Sequence, residues 1–122
     1  MLKGSVDLSM ERVKTIINAL DDKRAKKIDV LDIKNLTSLA DYFIICSCGS
    51  DTQVRASADN VDEKMSEIGI ECRHKEGYQN GSWVLMDYDD IIVHIMQEET
   101  RQFYALEKLW DDAPRIETGI EE

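Results

Sequence analysis

Four soft metal ligands occur in two pairs, Cys46-x-Cys48 and Cys72-x-His74, and residues two apart on a strand point the same way, so a zinc site is conceivable. The spacing argues against it. Structural zinc sites usually place ligands about two to four residues apart at a turn that wraps the metal, whereas both pairs here lie inside apolar runs. Buried thiols and a hydrogen-bonded histidine are the preferred reading. A second chemistry is nucleotidyl transfer, because Gly49-Ser50 follows an apolar run and opens a helical pattern where backbone N–H groups could hold a phosphate. Its metal-holding carboxylates are missing or displaced: Asp59, Asp62 and Glu63 belong to the helix, and Asp87-x-Asp89 lies far along the chain at a turn. Ser47, Cys48, His74 and His94 contain the pieces of a nucleophile and base, but no G-x-S-x-G elbow presents them. Histidine titrates near neutrality when unperturbed, which leaves His94 as a group to place.

The elements that must position these residues follow from periodicity. Val6, Met10, Val13, Ile17 and Leu20 recur at helical spacing, with Ser5 as a cap. Ile28 to Ile33 reads as a short strand, and Asp41 to Cys48, dense in β-branched and aromatic types, as a central strand covered on both faces. Val54, Ala58, Val61, Met65 and Ile68 then repeat at helical spacing, capped by Ser50 or Asp51 and ended by Gly69. Alternation from Ile70 to Lys75 completes a strand, helix, strand crossover. Turn chemistry at Glu76 to Gly81 and Tyr88-Asp89 separates strands Ser82–Asp87 and Asp90–Met96, giving an antiparallel meander. A last helix spans about Gln97 to Trp110, with Phe103, Leu106 and Trp110 on one face, before Pro114 stops it. Residues 1–114 form the expected domain and 115–122 an acidic tail.

A two-residue turn at Tyr88-Asp89 sets Leu85 against Ile92 and Trp83 against His94, and the longer loop sets Lys75 against Trp83 and Arg73 against Leu85. Cys72, His74, Val84, Met86, Ile91, Val93 and Ile95 then form the core face. The opposite face combines Arg73, Lys75, Trp83, Leu85, Ile92 and His94, a mixture expected where a protein partner docks. Pattern alone leaves a covering helix as an equal alternative.

The chain has 122 residues and a formal charge of -10, so one domain is expected and non-specific attachment to phosphate backbones is disfavoured. A basic partner would be drawn in. The single dense basic run, Lys23, Arg24, Lys26 and Lys27, is flanked by Asp21, Asp22 and Asp29 and reads as a solvated helix end. No apolar run is long enough for a membrane span and no signal peptide is evident, which points to a cytoplasmic protein with three reduced cysteines.

Several stretches, taken together, carry a family resemblance: Asp41-Tyr42-Phe43-Ile44-Ile45-Cys46-Ser47, Ser50-Asp51-x-Gln53-Val54-Arg55-Ala56, Glu76-Gly77, Gly81-x-Trp83-Val84-Leu85-Met86-Asp87-Tyr88, Val93-His94, and Arg101-x-Phe103-Tyr104-x-Leu106-Glu107-x-Leu109-Trp110-x-Asp112-Ala113-Pro114. In order and spacing the chain resembles the ribosomal silencing factors, also called Iojap-related proteins. The resemblance implies a single compact α/β domain, a mixed sheet of about five strands with helices packed on it, nucleotidyltransferase-like without the catalytic acids. It implies a translational silencer and no enzyme: a protein that binds the large ribosomal subunit through ribosomal protein L-fourteen, sterically blocks joining with the small subunit, and is often homodimeric when free. No cofactor, metal or catalytic residue is implied. The family's interaction stretch falls on Arg73, Glu76, Trp83, Leu85, Asp87, Tyr88, His94 and Tyr104. The chain departs from the family's usual Gly-Asn-Ser at Cys48-Gly49-Ser50 and from its usual Tyr-Gly-Asp at Tyr88-Asp89-Asp90. A small metal-dependent nucleotidyltransferase using Gly49, Ser50, Asp87 and Asp89 is the competing reading.

Overall fold

The computed structural model describes residues 2–120, with side chains from Ser9 onward. Its elements are α1 (Leu2–Asp22), β1 (Lys26–Asp32), β2 (Tyr42–Cys48), α2 (Asp51–Glu67), β3 (His74–Glu76), β4 (Trp83–Asp87), β5 (Ile91–Gln97), α3 (Glu98–Tyr104), α4 (Leu106–Leu109) and β6 (Arg115–Ile116). Helix α1 already includes Ser5, so no cap stands there, and the side chains of Ser5 and Val6 lie outside the described residues. At α2 the expected punctuation holds: Ser50 Oγ accepts from Gln53 N at 3.1 Å, and Gly69 follows the helix with φ of +82°.

The strands form one mixed sheet in the order β3-β4-β5-β2-β1-β6. Its centre is β2, buried along its whole length as its composition requires, parallel to β5 and antiparallel to β1. The crossover through α2 therefore passes over two strand positions to the edge strand β3, and the meander fills the gap. A sixth strand was not expected: directly after Pro114, Arg115 and Ile116 pair with Leu31 and Val30, so the sheet takes in residues assigned to the tail.

Period-two alternation splits the core into two layers. On one face Val13, Ile16, Ile17 and Leu20 of α1 and Val54, Ala58, Val61 and Met65 of α2 bury Ile44, Cys46, Val84, Met86, Val93 and Ile95. On the other, Leu31, Ile33, Phe43, Ile45, Ile92 and Met96 are buried, with Trp83, Leu85, Leu106 and Trp110 packed against them. The final helix is not continuous. Ala105 takes a left-handed conformation, φ 46° and ψ 53°, which breaks the stripe expected of Phe103, Leu106 and Trp110: Leu106 and Trp110 turn onto the sheet, and Phe103 is left 80% exposed.

The candidate binding face around Trp83

The β4–β5 turn moves by one residue from its expected place. Tyr88 N donates to Ile91 O at 2.9 Å, so Asp89 and Asp90 form the turn, and Asp89 sits at φ of +80°. The resemblance implies glycine at this position, the residue that adopts positive φ without steric cost. Leu85 therefore faces His94, and Trp83 faces Met96. A shift of two positions keeps the parity, so Trp83, Leu85, Ile92 and His94 still share a face.

The β3 register shifts by an odd number and exchanges its faces. His74 pairs with Asp87, Lys75 with Met86 and Glu76 with Leu85. Lys75, expected beside Trp83, instead points toward α2, with Nζ 3.6 Å from Asp62 and 5.0 Å from the Tyr78 ring centroid. His74, expected in the core, is exposed and holds Glu76 Oε2 through Nε2 at 2.5 Å. The cause is the Gly77–Gly81 loop. Both glycines have positive φ; a Cβ on Gly77 would stand 2.0 Å from Trp83 O, and one on Gly81 2.7 Å from Asp51 Cβ. The connection is thus longer than expected: residues 77–84 separate the paired Glu76 and Leu85, where pairing was expected to resume at Ser82.

Of the eight residues assigned to the interaction stretch, the structure gathers Glu76, Trp83, Leu85, Asp87, His94 and Tyr104 on one face or along its rim. Trp83 is part-buried, its ring centroid 5.0 Å from that of Tyr104, which is 53% exposed. Arg73 lies at the rim, its guanidinium 2.7 Å from Asp89. Tyr88 does not belong: it is 3% exposed and packs in the layer of α1 and α2. Nor does His94 offer a charge. It is buried between Trp83 and Phe43, accepts Trp83 Nε1 on Nδ1 at 3.1 Å, and burial lowers its pKa to about 4. With Lys75 removed and His94 neutral, the face is an apolar centre edged by Glu76, Asp87 and His74, with His74 bound to Glu76 and Arg73 at the rim.

The chemistries considered first do not assemble. Cys46 and Cys48 lie on β2, while Cys72 and His74 lie at β3, three inter-strand steps or roughly 14 Å away. Hydrogen bonding with Cys48, then burial, raises the Cys46 thiol well above its ordinary pKa, and the same bond lowers Cys48. Gly49-Ser50 follows the C-terminal end of β2, whereas Asp87 sits across β5 from Phe43 at the N-terminal end, so the pieces of a nucleotidyltransferase site stand roughly 20 Å apart along the strand. Ser50 is committed to capping and Asp87 Oδ1 to Asp89 N.

Sequence reasoning missed a second polar centre. Arg101, 5% exposed, donates to Asp29 Oδ2 at 2.8 Å, Glu107 Oε2 at 2.7 Å, Lys27 O at 2.7 Å and Ser47 Oγ at 3.0 Å. Asp29 is 72 positions away in the chain, so no local spacing could announce the pair.

Comparison with known proteins accords with this architecture. Residues 7–122 match the family model described as ribosomal silencing factor during starvation. A curated ribosomal silencing factor from Halalkalibacterium halodurans is 40% identical over 109 residues, covering 89% of this chain and 93% of that protein. One from Bacillus subtilis is 45% identical over 96 residues, 79% of this chain and 81% of that protein. A crystal structure from Chromobacterium violaceum superposes with a TM-score of 0.82 at 36% identity, covering 92% of each chain. On the family match and the length of these alignments, the chain belongs to the ribosomal silencing factor family.

Proposed function

We propose that this chain silences ribosomes by binding the large ribosomal subunit through the Trp83 face, with ribosomal protein L-fourteen as the docking partner, and that the bound domain blocks joining of the small subunit. The mechanism needs no bond to be made or broken. A folded domain occupying the volume of an intersubunit bridge inhibits in proportion to its occupancy, so affinity and concentration set the effect. Free protein in the cytoplasm forms a homodimer in this reading, and no cofactor takes part.

The observation that carries the proposal is the composition of the face: a part-buried tryptophan beside an exposed tyrosine, with Glu76 and Asp87 along its edge, in a chain of net charge -10. Aromatic anchors in a partly desolvated centre dominate protein interfaces, and an acidic rim steers a basic ribosomal protein while discouraging indiscriminate contact with RNA. Among the described residues no helix is long and apolar enough to cross a membrane.

Co-sedimentation with isolated large and small subunits tests it. The protein pellets with the large subunit alone and lowers the yield of joined particles when the two are mixed. Trp83→Ala costs about 2 kcal/mol of binding or more, roughly thirtyfold. A folded Trp83→Ala variant that pellets undiminished removes this face from the interaction.

A further inference from the structure

Between β3 and β4 lies an opening of roughly 250 Å³ lined by Glu76, Gly77, Trp83 and Leu85. Trp83 and Leu85 supply its apolar lining, and Gly77 is held to glycine there because a Cβ would strike Trp83 O. Trp83 Nε1 donates to His94, so the indole's one polar hydrogen is spent away from the opening. Glu76 is the single charged residue in the lining. Its Oε2 is taken by His74, and Oε1 carries no hydrogen bond among the described residues.

We infer that this slot receives one long basic side chain, lysine or arginine, from the protein partner. The inference rests on reading the Trp83 face as the partner surface. An anion would meet Glu76, and a purely apolar side chain would desolvate that carboxylate without pairing it. A basic side chain satisfies both halves: its methylene stem lies on Leu85 and the indole, and its cation meets Glu76 Oε1 beside an aromatic ring. The nearby cations of this chain do not compete, since Arg73 is held by Asp89 and Lys75 lies on the opposite side of the sheet beside Asp62. Asp87, on the same face, adds to the attraction.

Large-subunit binding by Glu76→Gln, His74→Ala and Trp83→Ala variants, measured by co-sedimentation at low and high salt, tests the slot. Glu76 and His74 are exposed on a short edge strand, so the fold survives both changes. Glu76→Gln weakens binding about tenfold, and its remaining affinity falls less steeply with salt. His74→Ala, which frees the second carboxylate oxygen, binds at least as tightly as the unaltered protein. Loss in Trp83→Ala with Glu76→Gln unchanged in affinity and salt response overturns the slot and leaves the face standing. Equal losses in Glu76→Gln and His74→Ala assign Glu76 to holding the strand and also overturn it. Unchanged binding in all three overturns the face itself.

Discussion

The indole N–H of Trp83 donates to Nδ1 of His94 over 3.1 Å, although the two residues stand diagonally across the ladder, Trp83 facing Met96 and His94 facing Leu85. The bond fixes the neutral imidazole as the native form, because a protonated Nδ1 could not accept it.

Stability therefore depends on pH in a defined window. The folded pKa of His94 is about 4, below its ordinary 6.5, and the cause is burial. A histidine with a depressed folded pKa contributes its full stability above the unfolded value and loses it as pH falls, because only the unfolded chain takes up the proton. Between pH 7.5 and 5 the loss is about 2 kcal/mol. Asp51, Glu98 and Glu107, whose pKa values are lowered, add their own losses only at more acidic pH. Urea denaturation at pH 7.5, 6 and 5 should show the decline, and His94→Phe should flatten it. A flat profile in the unaltered protein would show that His94 is not held neutral.

A single methyl group at Gly77 would disturb the candidate binding face. At φ of +82° with Trp83 O in the path of a Cβ, Gly77→Ala combines backbone strain with a main-chain collision. The expected cost is more than about 2 kcal/mol. Because the collision is with Trp83 itself, its fluorescence should shift as well. Gly69→Ala is the control, with φ also +82° but open space around the Cβ; it carries the conformational cost alone and leaves the Trp83 signal unchanged. Equal losses in the two variants would refute the collision.

Much of this was legible where one local rule governed. The β2 run from Tyr42 to Cys48 could only be a covered strand, and Ser50 and Gly69 bracketed α2 by ordinary capping. Parity carried Trp83, Leu85 and His94 to one face even with the turn misplaced by a residue. The β3 assignment failed because it let pairing resume at Ser82, whereas residues 77–84 separate the paired Glu76 and Leu85, and Arg55 of α2 holds this connection by donating to Gln79 O at 3.0 Å, a contact no local spacing announces. Phe103 was misplaced for a similar reason. Helical spacing assumed a continuous helix, and nothing in Tyr104-Ala105-Leu106 announces a left-handed alanine.

The break at Ala105 has a counterpart in Arg101. Lys27, at φ 52° in the irregular stretch of β1, turns its carbonyl to the guanidinium, which also spans to Asp29, to Ser47 on β2 and to Glu107 on α4. One side chain thereby ties both short helices to the sheet, and with them Tyr104 against Trp83 and Trp110 against Phe43 at 5.3 Å. Burial raises the Glu107 carboxyl, but its own backbone N–H and Arg101 more than reverse this and hold it below its ordinary pKa. Removing the cation strands the part-buried Glu107 and leaves Asp29 with Arg115 alone, 3.0 Å from Oδ2, so Arg101→Met is expected to cost about 3 kcal/mol. Lysine, a point charge without the fork, should recover little of it. If the loss comes from an unpaired acid, it must be non-additive: Glu107→Gln, destabilising alone, should restore part of the stability when combined with Arg101→Met, whereas Asp29→Asn, which also breaks the Arg115 pair, should restore less. Urea midpoints across this set of variants decide the matter, and strictly additive losses of Arg101→Met and Glu107→Gln would mean that Arg101 contributes by filling space and not by holding Glu107.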